Sequence, residues 1–198
     1  MELKSMIIQA NKRGGWQGDT PPTEFGPFLG IYRAGHPNSD IPTTIMSFSQ
    51  FADFVKRTIG TDTPTKLKIA QSIIAIAIRE QAGKGGLVFP DHNPFGFNAF
   101  KGSWRSIRPF IKGIFLAKDR IGWAWFLGFH SLSDSIKAIA IVLYNKGFHE
   151  IQSPEDFVKL YIRKWWSPTK DENELQKIIQ KETPALVSIW RRAESYVG

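Results

Sequence analysis

The sequence predicts an α+β fold that is mainly helical. Apolar residues recur at helical spacing over most of the chain after Ser47, and one stretch between the helices is rich in β-branched and aromatic residues, which is typical of paired strands. The 198 residues include 42% apolar side chains, enough for a real core, and no cysteine. The lack of cysteine excludes disulfides, thiolate metal sites and a cysteine nucleophile.

Residues 1–46 are predicted to form an extended N-terminal arm. Up to about Thr44 the sequence is dense in Gly, Pro, Asn, Thr and Asp, with no helical or alternating period longer than a few residues. The segment nevertheless contains four large aromatic residues, Trp16, Phe25, Phe28 and Tyr32, which argue against disorder. We therefore expect the arm to lie against the main domain or against a partner.

Residues 47–198 carry regular helix signals and are predicted to form one domain. Four helix starts are marked by capping residues, which are Ser47 with Gln50, Thr63 with Pro64, Ser131 with Asp134, and Ser153 with Pro154 and Asp156. The helix that follows Thr63 runs to about Gln81, and its apolar stretch 69–78 requires burial on nearly every side. One or two helices finish the chain, with Pro184 restarting the last.

A β-hairpin is predicted between the second and third of these helices. Residues 108–131 contain two runs of β-branched and aromatic side chains on either side of a turn near Lys118 to Arg120. The residues between Gly83 and Arg108 have the composition of a loop.

The net charge of +8 lies entirely in residues 47–198, because residues 1–46 contain four bases and four acids. The remaining 22 bases and 14 acids produce the whole excess. Such a charge suits nucleic acid, anionic lipid or the acidic polymers of a bacterial cell wall, and charge alone does not choose between them.

Several motifs follow one another in an order that resembles a known family. AIREQAGKG at 77–85 is similar to the family motif A-x-x-E-S-G-W-G-x-S, HNPFGF at 92–97 to N-N-L-F-G-I-K, and KGSW at 101–104 to G-S-W. FHSLSDSI at 129–136 resembles F-R-x-Y-D-S-x-x-E-S-I. Over residues 50 to 180 the chain thus resembles the bacterial cell-wall β-N-acetylglucosaminidases of glycoside hydrolase family 73. The resemblance implies a lysozyme-like domain in which the hairpin flanks the substrate cleft.

Glu80 is the candidate general acid. A carboxyl at the end of an apolar helix can be held neutral near pH 7, because desolvation disfavours its charged form and the helix dipole acts in the same direction. A neutral carboxyl can deliver the proton that the leaving oxygen of a glycosidic bond needs. The alternative is a surface glutamate paired with Arg79 or Lys84.

A second catalytic carboxylate is less evident. The hairpin contains only one acid, Asp119, which lies between Lys118 and Arg120 and could equally be an ordinary turn residue. Asp91 is a weaker candidate. A substrate-assisted route, in which the 2-acetamido oxygen of the sugar attacks the anomeric carbon, needs no second carboxylate.

The resemblance also implies the residues that contact substrate. Asn93, Phe95 and Gly96 would line the cleft opposite Glu80, although Asn93 could instead cap a turn and Phe95 could belong to the core. The candidates for stacking on sugar are five tryptophans, Trp104, Trp123, Trp125, Trp165 and Trp166. Trp166 is the choice among them because of its position in the family motif, and Trp104 is the second residue assigned to the substrate site. The family's functional tyrosine corresponds to the Trp165-Trp166 pair, which cannot donate a hydroxyl.

The resemblance therefore implies a peptidoglycan hydrolase that cleaves β-1,4 glycosidic bonds, of the endo-β-N-acetylglucosaminidase or muramidase type. We expect neither a cofactor nor a metal, because the four histidines are scattered without ligand spacing. The N-terminus lacks the apolar region of a signal peptide, and we expect no membrane span. Delivery to the bacterial cell wall by a phage tail, a virion or a secretion apparatus, to which the arm would dock, fits these features.

Three alternatives remain open at this point. A lytic transglycosylase also needs one glutamate and would leave anhydro-muramic ends. A lysozyme-like component of a virion or tail that has lost activity would account for the unclear second carboxylate. A nucleic-acid-binding module is disfavoured, because the aromatic residues are not interleaved with bases and no known motif occurs.

Overall fold

The structure, a computed structural model, describes residues 2–36, 38–81, 85–167 and 169–198. It has the predicted α+β class and is mainly helical, with 54% of its residues in helices. The chain forms two compact units, the first made of Met1–Ile45 and Val88–Ala138 and the second of Met46–Leu87 and Ile139–Gly198. This division differs from the predicted one, because residues 88–138 group with the N-terminal segment.

The N-terminal segment is not an extended arm, and this prediction was wrong. Helix α1 spans Leu3–Gly14 and buries Met6, Ile7 and Ala10. Two strands follow, β1 at Phe28–Tyr32 and β2 at Thr43–Met46. The helix is short and its apolar face is narrow, so local periodicity gave too weak a signal, and packing against the rest of the unit stabilises it.

The hairpin of the first unit is confirmed. Strands β4 (Ile111–Lys118) and β5 (Trp123–Phe129) pair antiparallel, with the turn between Lys118 and Trp123. β1 pairs parallel with β4 and completes a three-stranded sheet in the order β1-β4-β5. β2 pairs with β3 (Leu87–Pro90) in a separate two-stranded sheet.

The N-terminal segment contributes to the core of the first unit. The buried side chain of Asn11 accepts a hydrogen bond from Nε1 of Trp125 at 2.8 Å and donates to the carbonyls of Gly18 and Thr20. These bonds satisfy the indole N–H of Trp125 and the amide of Asn11, which water cannot reach. If these groups were buried without partners, they would destabilise the fold. Asn11 therefore ties α1 and the loop after it to β5.

The predicted helix starts of the second unit are confirmed. α2 (Phe48–Ile59) has the capping box of Ser47 and Gln50, and α3 (Pro64–Glu80) has Thr63 as its N-cap. The stretch 69–78 of α3 is buried as predicted. α4 (Leu132–Asn145) begins in the first unit and ends in the second.

The C-terminal part of the second unit contains α5 (Pro154–Leu160), a π-helical turn at Tyr161–Trp166, and α6 (Glu172–Val197). The predicted restart of the last helix at Pro184 was wrong, because α6 runs through this residue without a break. A proline removes one backbone donor and strains the preceding turn. Burial of Leu175, Leu186 and Trp190 on one face of α6 holds the helix together across that defect.

Candidate active site

The seven residues singled out from the sequence fall into both units. Glu80 and Trp166 lie in the second unit, whereas the first unit contains Asn93, Phe95, Gly96, Trp104 and Asp119.

Glu80 is the last residue of α3 and follows directly on its buried stretch. The residue retains exposed surface, so water and a ligand can reach it. Because the preceding helix is packed on all sides, the backbone that carries this carboxylate has little freedom. The sequence thus predicted correctly that a buried helix ends in Glu80.

Three side chains of the second unit act on the Glu80 carboxylate. The hydroxyl of Tyr161 donates a hydrogen bond to Oε1 at 3.3 Å, the indole of Trp165 also hydrogen-bonds to the carboxylate, and the positive charge of Arg79 favours its ionised form. Desolvation by the surrounding protein atoms is the larger effect and raises the pKa of Glu80 above its usual range, although these three groups lower it. The exposed surface of Glu80 limits this desolvation.

Tyr161 is well placed to remain a hydrogen-bond donor. Burial, followed by the negative charge of Glu80, raises the pKa of the Tyr161 hydroxyl far above its usual value. The hydroxyl therefore stays protonated near neutral pH. Its ring packs beside Phe157, which in turn packs against Trp190 of α6 with ring centroids 4.7 Å apart.

The π-helical turn explains how Tyr161 and Trp165 reach the same carboxylate. The turn is closed by Ser167, whose left-handed backbone (φ 45°) lets its N–H bond the carbonyl of Ile162 at 2.8 Å. An ion pair between Arg163 and Glu172 joins the turn to the start of α6. Single π-helical turns are rare in proteins, and those that occur are often found at functional sites.

Glu80 is exposed, as the alternative of a surface glutamate expects, but Arg79 is not its ion-pair partner. Arg79 forms its ion pair with Glu182 of α6, with Nη2 and Oε2 2.8 Å apart. The other alternative partner, Lys84, lies outside the described residues, as do Ala82 and Gly83 of the glycine-containing loop. Arg79 therefore influences Glu80 by its charge and is anchored elsewhere.

Sequence reasoning missed Tyr161. The resemblance set the Trp165-Trp166 pair in the place of the family's tyrosine and implied that this position cannot donate a hydroxyl. A hydroxyl nevertheless reaches Glu80, because Tyr161, one π-helical turn earlier, donates a hydrogen bond to it. The spacing of Tyr161 and Trp165 places them on one helical face, but nothing in the local sequence shows that this face packs against Glu80.

Trp166 presents an aromatic surface on the same π-helical turn. Its side chain is 43% exposed, which is unusual for so large an apolar group. It is therefore free to contact a ligand, as the sequence analysis expected of a stacking residue.

Asn93 has no polar atom left for a sugar. It is 3% exposed, its Nδ2 donates to the carbonyls of Phe97 and Leu127, and its Oδ1 accepts from the N–H of Phe97 at 2.9 Å. This network fixes the loop after β3 against β5. The alternative role considered from the sequence, in which Asn93 caps a turn, accounts for these hydrogen bonds.

The neighbours of Asn93 also serve packing. Phe95 is buried, and its ring lies against Phe97 with centroids 6.0 Å apart. Trp104 is half-buried, packs edge-on against Phe97 at 4.8 Å and donates from Nε1 to the carbonyl of Asn98. Gly96 is exposed with a left-handed backbone (φ 65°) and marks the tip of the loop.

Asp119 is engaged in the hairpin turn. Its carboxylate forms an ion pair with Arg13 at 2.8 Å and accepts hydrogen bonds from the N–H groups of Ile121 and Gly122. Against some desolvation, these partners lower the pKa of Asp119 below its usual value. These contacts are those of a turn aspartate, the alternative role considered from the sequence.

Asp91 is buried in the first unit, with a side chain 1% exposed, and pairs with Nζ of Lys112 at 3.2 Å. Its positive φ of 40° and that of His92 (60°) make a tight turn after β3. Like Asp119, it serves the fold of the first unit through these contacts.

Within the described ranges no group of three or more His, Asp or Glu residues could hold a metal ion. In the same part of the chain no helix is both long and apolar enough to cross a membrane. At Glu80, desolvation disfavours the ionised form of the carboxyl, and hydrogen bonds from Tyr161 and Trp165 hold the carboxyl in place. No protein-family model, curated protein or solved structure matches the chain.

Proposed function

We propose that the protein is a peptidoglycan hydrolase that cleaves β-1,4 glycosidic bonds with Glu80 as the general acid. The observation that carries the proposal is the position of Glu80 at the end of a buried helix, where desolvation raises its pKa and the Tyr161 hydroxyl holds Oε1. The resemblance of residues 50 to 180 to family 73 supports the substrate class and implies a lysozyme-like domain.

The raised pKa of Glu80 matters because the acid must be protonated when substrate binds. Glycosidic oxygen is a poor leaving group unless it receives a proton as the bond to the anomeric carbon breaks. A carboxyl of ordinary pKa is almost fully ionised near pH 7, whereas a raised pKa leaves a larger protonated fraction. The hydrogen bond from Tyr161 then stabilises the carboxylate after the proton has left.

The substrate-assisted route fits the acids of this chain better than a second carboxylate does. Asp119 is held by Arg13 and the hairpin turn, and Oδ1 of Asp91 is paired with Lys112, whereas Oδ2 of Asp91 is buried without a hydrogen-bond partner. In this route the acetamido oxygen of the sugar attacks the anomeric carbon while Glu80 protonates the leaving oxygen. The attack closes an oxazoline ring on the sugar. Water then attacks the same carbon, the oxazoline ring opens, and the proton released by water returns to the Glu80 carboxylate.

Trp166 is the proposed stacking residue for a sugar ring. Its exposed side chain adjoins Trp165, a partner of Glu80, in the same π-helical turn. The face of a pyranose carries several C–H groups that pack well on an aromatic ring. A ring bound there would lie near the proton donor.

A lytic transglycosylase is the second candidate. It is favoured because Asp119 is held by Arg13 and the hairpin turn, and this reaction needs no second catalytic carboxylate. In that reaction the 6-hydroxyl of muramic acid attacks the anomeric carbon, so one acid suffices and water is not consumed.

Delivery by a virion, tail or secretion apparatus remains part of the proposal. Residues 1–45 form part of a folded unit, so any docking surface would be on that unit.

Digestion of purified peptidoglycan by the full chain, followed by mass spectrometry of the borohydride-reduced products, tests the proposal. New reducing ends on glucosamine or on muramic acid support hydrolysis and identify the bond. Anhydro-muramic ends support the transglycosylase. Intact glycan from several wall types, with folded protein, would contradict both and leave the inactive structural component.

A further inference from the structure

A cavity, separate in sequence from the residues around Glu80, opens at one end of the β1-β4-β5 sheet. Its volume is about 540 Å³, and its walls include Met6, Tyr32, Arg33, His36, Lys118 and Trp123. Tyr32 ends β1, Lys118 ends β4 and Trp123 begins β5, opposite Lys118. Sites for small ligands in proteins typically have volumes of about 300–1,000 Å³.

The charge of this cavity is positive. Arg33 and Lys118 line it, and no Asp or Glu does. Among the described residues, neither base forms an ion pair with a carboxylate. The acid beside Lys118 in the chain, Asp119, is held by Arg13, and Asp40 accepts a hydrogen bond from the N–H of Ile31. The two cations are therefore available for an anion.

Two further walls, Trp123 and Tyr32, are aromatic and firmly placed. Trp123 is buried, and its backbone is fixed by Gln9, which accepts from its N–H, and by Arg13, which donates to its carbonyl. Tyr32 packs edge-on against Phe115 with centroids 6.4 Å apart. Aromatic rings beside cations favour a ligand that combines an anionic group with an apolar face.

We propose that this cavity binds a carboxylate-bearing amino sugar, the N-acetylmuramic acid unit of peptidoglycan. The choice of ligand rests on the proposed function, because this sugar is N-acetylglucosamine with an added lactyl carboxylate. Its ring would pack on Tyr32, which keeps more exposed surface than the buried Trp123, and its carboxylate would pair with Arg33 and Lys118. A nucleic acid fits less well, since it requires a row of cations and stacking rings along a groove.

Binding of the two monosaccharides to the full chain, measured by chemical-shift titration, tests the cavity. Neither sugar contains a glycosidic bond between residues of a glycan, so the result is independent of cleavage by Glu80. We expect N-acetylmuramic acid to bind at least several-fold more tightly than N-acetylglucosamine, and the difference to shrink at high salt because the contacts are exposed. Arg33→Ala and Lys118→Ala should each weaken binding of the acid by about three- to tenfold.

Arg105→Ala and Lys137→Ala are the matched controls, because both residues are exposed bases of the same unit that do not line the cavity. They should leave binding unchanged. Equal affinity for the two sugars, equal effects of all four variants, or displacement of the sugar by a single-stranded oligonucleotide would overturn the proposal. Charge-dependent binding by a protein that leaves peptidoglycan intact would support the cavity while refuting the proposed cleavage.

Discussion

The hydroxyl of Tyr161 donates a hydrogen bond to Oε1 of Glu80 over 3.3 Å, although 81 positions separate the two residues in the chain. This bond favours the ionised form of Glu80, whereas desolvation disfavours it more strongly. The pKa of Glu80 thus depends on a balance that single substitutions can change.

Tyr161→Phe should raise the pKa of Glu80 further, because it removes a hydrogen bond that stabilises the carboxylate. If Glu80 is the general acid, the alkaline limb of the activity profile should move to higher pH. Turnover at the optimum should change by less than about tenfold, since Glu80 keeps its proton. Carboxyl titration by NMR together with the pH–rate profile measures both effects. Tyr144→Phe, at an exposed tyrosine of the same unit, is the control, and an equal shift there would contradict the prediction.

Glu80→Gln should lower turnover of purified peptidoglycan by roughly 10²–10⁴-fold, because the amide has no transferable proton. The folded state holds the Glu80 proton more tightly than the unfolded chain does, so wild-type stability falls as pH rises from about 4.5 through the raised pKa. The amide does not ionise, and its melting temperature should stay level or rise at neutral pH. Glu194→Gln, at an exposed glutamate of α6, should change neither quantity. Unchanged turnover in Glu80→Gln would refute the assignment.

Asp119→Asn should cost about 1 kcal/mol of stability at pH 7, because it removes a half-exposed ion pair and weakens two turn hydrogen bonds. For a chain of this size, the melting temperature should fall by roughly 2–4 °C. The pKa of Asp119 is lowered, so its contribution is present above about pH 4 and disappears as pH falls through the folded pKa. Glycan turnover should be retained. A loss of a hundredfold or more in a folded variant would restore Asp119 as a catalytic carboxylate.

Trp166→Ala should weaken glycan binding by roughly tenfold or less and leave the melting temperature nearly unchanged, since 43% of the side chain is exposed. Titration with a soluble glycan fragment and thermal melting measure the two effects. Tyr144→Ala removes another exposed aromatic of the same unit and should not affect binding. Unchanged binding in Trp166→Ala would exclude it from the site.

Asn11→Ala should destabilise the protein by roughly 2 kcal/mol or more, because it leaves the buried indole of Trp125 and two carbonyls without their partner. Asn173→Ala, at an exposed position in the first turn of α6, should be nearly neutral. The melting temperatures of the two variants decide between a structural N-terminal segment and a detachable arm. A detachable arm would leave both variants as stable as the wild type.

Several elements were predictable because their signals lie within a few residues of one another. The capping box of Ser47 and Gln50 joins positions three apart, and the hairpin turn follows from the residue types around Asp119. The burial of α3 could be predicted because its apolar run leaves no polar face. That Glu80 ends a buried helix follows from these local patterns.

The partners of Glu80 could not be predicted, because they depend on where distant segments pack. Local sequence gives no sign that Tyr161 reaches Glu80, or that Arg13 reaches Asp119 across 106 positions. The same holds for Asn93, whose amide could bind a sugar until Leu127 and Phe97 take its hydrogen bonds.

The sequence by itself determined the main helices, the hairpin and the position of the carboxylate, since short-range backbone preferences and apolar spacing decide these features. Only the tertiary structure decided that residues 1–45 belong to a folded unit, because α1 and β1 are stabilised by packing and by pairing with β4. It also decided which polar groups remain available for chemistry. A polar side chain can bind substrate only where the fold has left it unpaired, and that depends on contacts made across the whole chain.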